Sequence, residues 1–215
     1  MVHLYYILPI TGLDEEKKNS RQRLLEALTT KDTEIKLVSV ERGPKAIESE
    51  EDEEEVIPVL IDFVKKNEEK FDAAILGCFG DPGLRKLRTM TDKLIVGPGR
   101  CSLAFATSNF DKFSIVTISK KEIPRMRNFV RRMGLKDHLE SVISVDLAVL
   151  DITYKPNMAI KVFKEKTKKL ETPVIVPGCM GFAFLFAERK IRKVWDSVIV
   201  NPLTTAIRFA EVFIK

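Results

Sequence analysis

The sequence predicts an α/β fold of two similar lobes, each a parallel four-stranded sheet flanked by helices. Three observations lead there. Short apolar runs alternate with amphipathic segments along the chain, the order that builds a parallel sheet with crossover helices. Several of these runs, Ile115-Val116 and Val174-Ile175-Val176 among them, are apolar at consecutive positions, as in strands covered by helices on both faces. The chain also repeats itself. Ile95-Val96-Gly97-Pro98 followed by Phe105-Ala106 recurs 104 residues later as Ile199-Val200-Asn201-Pro202 followed by Phe209-Ala210. Gly77-Cys78-Phe79-Gly80 recurs 101 residues later as Gly178-Cys179-Met180-Gly181.

Taken in order, the apolar runs predict strands over Leu4–Leu8, Glu34–Val40, Ala73–Gly77 and Leu94–Gly97, then Phe113–Ile118, Val142–Val145, Val174–Val176 and Val198–Val200. The amphipathic stretches between them predict helices over Glu15–Leu28, Glu51–Asn67, Gly83–Thr89, Ser102–Ser108, Glu122–Met133, Met158–Leu170, Gly181–Arg189 and Thr204–Phe213. Gly97-Pro98-Gly99 reads as a turn. The repeat places the first lobe at residues 1–97 plus 202–215 and the second at 98–201, pseudo-two-fold related, with the active site in the cleft between them. The apolar stretch Phe209–Ile214 is expected to pack on its own lobe, with a subunit contact as its competing role.

A chain of 215 residues with 45% hydrophobic content suits two modest lobes with ordinary cores. No apolar run approaches the roughly 20 residues that span a bilayer. Met1 to Ile10 has neither a basic start nor a small-residue cleavage site, so the expectation is a cytoplasmic protein without a membrane partner. The 36 Lys and Arg against 31 Asp and Glu leave a net charge of +5, but the basic residues are dispersed among acidic ones. Arg125, Arg127, Arg131 and Arg132 read as a solvated helix face, so nucleic acid is not an expected partner. The acidic run Glu48–Glu55 reads as a solvated loop or a helix start. Neither a phosphate-binding G-x-x-x-x-G-K-[ST] nor a dinucleotide-binding G-x-G-x-x-G occurs.

The three cysteines, at 78, 101 and 179, form no C-x-x-C, and His3 and His138 lie apart from them, so no metal site is expected. Cys101 reads as core, His3 as a strand-edge residue and His138 as a loop or helix-cap residue. Cys78 and Cys179 differ from Cys101. Each follows a buried strand and a glycine, at matching places in the repeat, and each is expected to open a helix at the carboxyl end of its sheet, where ligands bind in such folds. After Cys78 the run Asp81-Pro82-Gly83 suggests an N-cap with proline in the first turn. A helix N-terminus favours the thiolate, and flanking glycines leave amides free to hold an anion. Two thiols on opposite sides of a substrate suit racemisation. One thiolate removes a proton from a carbon next to a carbonyl, and the other thiol returns one from the far side, with no cofactor.

Gly77-Cys78-Phe79-Gly80-Asp81-Pro82-Gly83-Leu84 resembles the first cysteine block of the Asp/Glu/hydantoin racemase superfamily, in its hydantoin and allantoin racemase branch. Arg42-Gly43-Pro44 with Ile47-Glu48 and Asp52-Glu53, Phe113-Ser114-Ile115-Val116-Thr117, and Gly178-Cys179 with Gly181 are similar to further segments of that branch. The resemblance implies a two-lobed fold, Cys78 and Cys179 as the acid/base pair, and a small-molecule substrate bound around Pro9, Phe79, Gly80, Asp81, Thr117, Met180 and Gly181. It also implies a homo-oligomer.

The chain departs from the branch at Leu8-Pro9-Ile10-Thr11, where Asn-Pro-Asn-Thr is common, at Gly99-Arg100, where many members carry a Glu, and at Cys179-Met180-Gly181-Phe182. With Phe79, Met180, Phe182, Leu8 and Ile10 nearby, an apolar 5-substituted hydantoin or similar cyclic ureide is the expected substrate. Phe182 and Ile10 have core packing as their competing role, and Asp81 is divided between a ureide N–H and a helix cap. Two other functions stay open: a covalent isomerase using Cys78 alone, and a module that binds a small ligand without turnover.

Overall fold

The computed structural model describes residues 1–214. In chain order its elements are β1 (Val2–Leu8), α1 (Glu15–Leu28), β2 (Thr33–Ser39), α2 (Glu50–Asn67), β3 (Ala73–Leu76), α3 (Leu84–Leu87), β4 (Leu94–Val96) and α4 (Pro98–Asn109). There follow β5 (Phe113–Thr117), α5 (Glu122–Arg132), β6 (Leu139–Ser144), α6 (Val149–Tyr154), α7 (Pro156–Thr167), β7 (Val174–Pro177), α8 (Met180–Glu188), β8 (Lys193–Val194), β9 (Ser197–Ile199) and α9 (Pro202–Phe213). The chain divides into two compact units, residues 1–98 with the final helix from Thr204, and Gly99–Leu203.

In the first unit the sheet order is β2-β1-β3-β4, all parallel. The central strand β3, Ala73-Ala74-Ile75-Leu76, is completely buried, as its apolar residues on both faces require. Helix caps follow from the sequence. The Asp14 carboxylate accepts the Lys17 N–H at 2.8 Å at the start of α1. At α2 the Ser49 hydroxyl accepts the Asp52 N–H at 3.2 Å while the Asp52 carboxylate accepts the Glu48 N–H at 2.8 Å. Ser49 caps the helix and Asp52 holds the N–H just before the cap, so the acidic run is a helix start, its carboxylates set against the positive end of the dipole. The outer edge of β2 is closed by one side chain. The Gln22 amide donates to the Ile35 carbonyl at 2.8 Å and accepts the Leu37 N–H at 2.6 Å, which removes a free edge that another strand would pair with.

The second unit has the order β6-β5-β7-β9-β8. Its first four strands are parallel, and β8 adds to β9 antiparallel. This fifth strand corrects the expected four. Two residues, one of them charged, carry no periodicity, and the pairing depends on a tight reversal in which Trp195 takes φ 54°. The short helix α6 was likewise too brief to read. Under β5 and β7, Phe163 packs on Phe182 (ring centroids 4.9 Å apart) and edge-on to Phe186 (4.8 Å), at the centre of the core.

The helix starts need one further correction. α4 begins at Pro98 and not at Ser102, and α9 at Pro202. Proline at the first helical position gives up an N–H that has no partner there in any case, so Gly97-Pro98 opens the helix instead of ending the chain's regular structure. Arg127, Arg131 and Arg132 are exposed, whereas Arg125 is bonded to the buried Glu122. Among the described residues no helix is long and apolar enough to cross a membrane.

Candidate active site

Both thiols emerge from the same local construction. In the first unit β3 ends and the Gly77 N–H donates to the Ile7 carbonyl of β1 at 2.8 Å. In the second, β7 ends and the Gly178 N–H donates to the Val116 carbonyl of β5 at 2.8 Å. Each cysteine follows directly. The glycines are required by close approach. A Cβ on Gly77 would lie 2.7 Å from the Ile7 carbonyl oxygen and 2.9 Å from Pro9 Cδ, and one on Gly178 would lie 2.9 Å from Ile115 Cγ2 and 3.3 Å from the Val116 carbonyl oxygen.

Beyond the sulfurs the two turns diverge. Cys179 is the N-cap of the nine-residue α8, in extended conformation (φ −151°, ψ 133°), and is 7% exposed. Its Sγ is 3.5 Å from the place of a Cβ on Gly181, which sets the sulfur beside the first turn, where the helix end favours an anion. Cys78 is more exposed and does not open a helix, contrary to expectation. Asp81 (φ 54°) and Gly83 (φ 65°) turn the chain twice before the four-residue α3 begins at Leu84. Asp81 therefore does not cap α3, whose N-cap is Gly83 with no side-chain bond. Instead its buried carboxyl lies against Gly97.

Thr117 ends β5, next to the strand that leads into Cys179. Its side chain is fully buried and Oγ1 has no hydrogen-bond partner in the protein. An orphaned buried hydroxyl is rare in folded proteins. By the matching glycine bonds, its counterpart in the first unit is Leu8, which has no polar group to offer. Pro9, Phe79, Met180 and Gly181 are buried, and Gly80 is partly exposed. Phe182 is 0% exposed and packs in the aromatic core with Phe163 and Phe186. Ile10 and Cys101 are also buried.

Sequence reading passed over Asp146, just beyond β6. It holds φ 57°, accepts the Ser144 hydroxyl at 2.7 Å and pairs with Lys166 at 3.2 Å. The Ser144 hydrogen bond, with help from Lys166, holds its carboxyl below the usual aspartate value. Its only signal in the sequence was a charged residue directly after an apolar strand. His3 pairs with Glu34 at 3.3 Å at the amino end of β1, and His138 Nδ1 lies 2.9 Å from the Asp111 carbonyl oxygen. A groove lined by Gln22, Thr30, Thr33 and Lys36 opens at the amino ends of β1 and β2, the opposite end of that sheet from Cys78. Among the described residues no three His, Cys, Asp or Glu side chains gather as metal ligands.

A hydantoin racemase of Pseudomonas sp. (strain NS671) is 31% identical over 188 residues, covering 85% of this chain and 75% of that protein. A hydantoin racemase of Paenarthrobacter aurescens is 29% identical over 183 residues, covering 82% of this chain and 77% of that protein. Among solved structures, allantoin racemase from Klebsiella pneumoniae superposes with a TM-score of 0.88 over 100% of this chain and 88% of that one, at 24% identity, which speaks for the fold. The family model described as Asp/Glu/hydantoin racemase matches residues 18–210, a span that takes in both glycine–cysteine turns. The chain belongs to the Asp/Glu/hydantoin racemase family.

Proposed function

We propose that this racemase inverts the stereocentre of 5-substituted hydantoins or similar cyclic ureides by two-thiol proton transfer, without a cofactor. The observation that carries the reading is the pair of glycine–cysteine turns, each tied by a 2.8 Å bond to the neighbouring strand of its own sheet. A cysteine kept merely for packing has no reason to recur with the same backbone construction at the carboxyl end of both sheets. The naming of relatives as hydantoin racemases supports the substrate class.

In this mechanism one cysteine, as thiolate, takes the C5 proton. The negative charge moves onto the adjacent carbonyl oxygen, and the other cysteine, as thiol, returns a proton to the opposite face. The mirror-image substrate reverses the roles. Backbone amides at Phe79, Gly80, Met180 and Gly181 hold the ring oxygens, strengthening as charge develops. The Thr117 hydroxyl gains there the partner that it lacks in the free protein. Pro9, packed on Gly77, shapes the wall on the Cys78 side.

The test is proton NMR in D₂O on enantiopure benzylhydantoin, with polarimetry, reductant and chelator. Wild type washes out the C5 proton as rotation is lost. Removing either thiol, Cys78→Ala or Cys179→Ala, slows racemisation by at least the roughly 10²–10⁴-fold ascribed to a general acid or base. Each variant still exchanges the proton of one enantiomer. A covalent adduct on Cys78 that persists in Cys179→Ala would sink the two-thiol mechanism in favour of covalent isomerisation.

A further inference from the structure

The chain after Cys78 is held in an unusual way. Asp81 donates its N–H to the Cys78 carbonyl at 3.2 Å and accepts the Leu84 N–H at 3.1 Å, so one residue closes both turns of the loop. It does so at φ 54°, a conformation that a residue with a side chain disfavours, and it is only 6% exposed. Its carboxyl occupies a defined place. A Cβ on Gly97 would lie 2.4 Å from Asp81 Cγ and 2.4 Å from Oδ2, closer than any real contact. The carboxyl thus fills the space that a side chain at position 97 would need.

The second unit shows what such a side chain does. Asn201 precedes Pro202 as Gly97 precedes Pro98. Asn201 Oδ1 accepts the Leu203 N–H at 2.9 Å, capping α9, and Nδ2 donates to the Ala183 carbonyl at 2.8 Å, four residues beyond Cys179. There the residue before the proline reaches the segment after the thiol. In the first unit the segment after the thiol reaches the residue before the proline. The join is the same and the side chain comes from the opposite partner. We infer that Asp81 is a positioning residue for Cys78, fixing the thiol's turn by setting its carboxyl in the place of the side chain that Gly97 lacks. This role is neither of the two open to Asp81 in the sequence, an acceptor for a ureide N–H or a cap of the helix that follows it. Its consequence for turnover rests on the racemase reading, but its geometry does not.

The test exchanges the two arrangements. Asp81→Gly removes the carboxyl, Gly97→Asn collides with it, and the double variant transplants the second unit's solution. Gly97 is not at positive φ, so asparagine can take its backbone, and glycine at 81 adopts the left-handed turn freely. Racemisation is read as separate kcat and KM, and Cys78 reactivity as its alkylation rate by iodoacetamide across pH, followed by peptide mass spectrometry. Each single change is expected to lower kcat about tenfold or more with KM within about threefold, and to shift the alkylation profile; the double variant recovers both to within about threefold of wild type. A double variant no better than Asp81→Gly, with KM raised about tenfold, makes Asp81 a substrate ligand and overturns the inference. Failure of the racemase reading shows separately, as no turnover by wild type, and the alkylation profile then decides alone. If a single variant fails to fold, recovery of wild-type thermal unfolding in the double supports the join, and its absence overturns it.

Discussion

Thr117→Val should make the protein more stable and less active at once. The hydroxyl is fully buried and makes no hydrogen bond within the protein, so folding leaves it desolvated and uncompensated. An unsatisfied buried polar group costs about 1–3 kcal/mol, and a methyl of the same shape removes that cost while adding about 0.8 kcal/mol of apolar burial. The strand itself is untouched, since the backbone bond from the Val145 N–H to the Thr117 carbonyl (3.0 Å) remains. The expected gain is about 2–4 kcal/mol, with a rise in Tm of roughly 2–4 °C per kcal/mol for a chain of this size. Losing a donor to a substrate oxygen should lower kcat/KM at least about tenfold, or 1.4 kcal/mol of transition-state stabilisation. Urea unfolding and initial racemisation rates measure the two halves independently. Thr117→Ser keeps the hydroxyl and should retain more activity than the valine change while losing stability. A destabilised Thr117→Val protein, or one with unchanged kcat/KM, would refute the reasoning.

Three other perturbations follow from the same geometry. Gly77→Ala should destabilise more than Gly178→Ala, about 2–3 against about 1 kcal/mol by urea denaturation, because the first forces a Cβ onto backbone at 2.7 Å and the second onto a movable side chain at 2.9 Å; the reverse order would contradict it. Glu211 bears on acid stability. Burial works to raise its carboxyl's pKa, but hydrogen bonds from the Thr30 N–H (2.6 Å) and Arg208 (2.5 Å) outweigh it, leaving the carboxyl below the ordinary 4.5. A depressed value stabilises the fold above the unfolded pKa, and that contribution is lost as pH falls through the folded one, so Glu211→Gln should cost about 1.5–3 kcal/mol at pH 7 and progressively less below pH 4.5; a constant difference would refute the linkage. Phe182→Leu should lower stability by about 1–2 kcal/mol through the lost ring contacts with Phe163 and Phe186, yet leave the ratio of rates on benzyl- and carboxymethyl-hydantoin unchanged. A changed ratio would return Phe182 to the pocket.

The sequence carried the architecture because burial on both faces of a parallel strand leaves its mark on every residue. Ala73–Leu76 and Val174–Val176 are strands in the structure, as their short apolar runs between turn residues predict. Helix starts were harder, since Pro98 and Pro202 signal a break and an N1 position with the same residue type. The placing of Cys78 failed for a reason local periodicity cannot reach. Asp81-Pro82-Gly83 reads as a helix entrance, whereas Asp81 takes a left-handed turn and sets its carboxyl in the space beside Gly97, sixteen residues away. Phe182 was ambiguous because an aromatic residue three places after a thiol looks alike in a core and in a pocket. Thr117 could be named from resemblance alone; its orphaned hydroxyl exists only once β6 and β7 close around it.

The inequality of the two turns constrains the kinetics in a way that tests the two-thiol mechanism as a whole. Cys179 sits buried at a helix N-terminus, and Cys78 lies in a more open double turn. Two thiols in such different surroundings would present unlike faces to the two enantiomers under the two-thiol mechanism. A racemase acting on a single stereocentre nevertheless joins substrate and product of equal free energy, and its kcat/KM values for the two enantiomers must be equal. The asymmetry can therefore appear only as matched differences in kcat and KM, and in the pH at which each direction loses rate. Initial rates on each pure enantiomer from about pH 6 to 10 should give kcat profiles displaced from one another, with kcat/KM for the two directions coinciding at every pH. Superimposable kcat profiles would mean that the helix end at Cys179 has no counterpart in the chemistry, and that the thiols act as equals despite their surroundings.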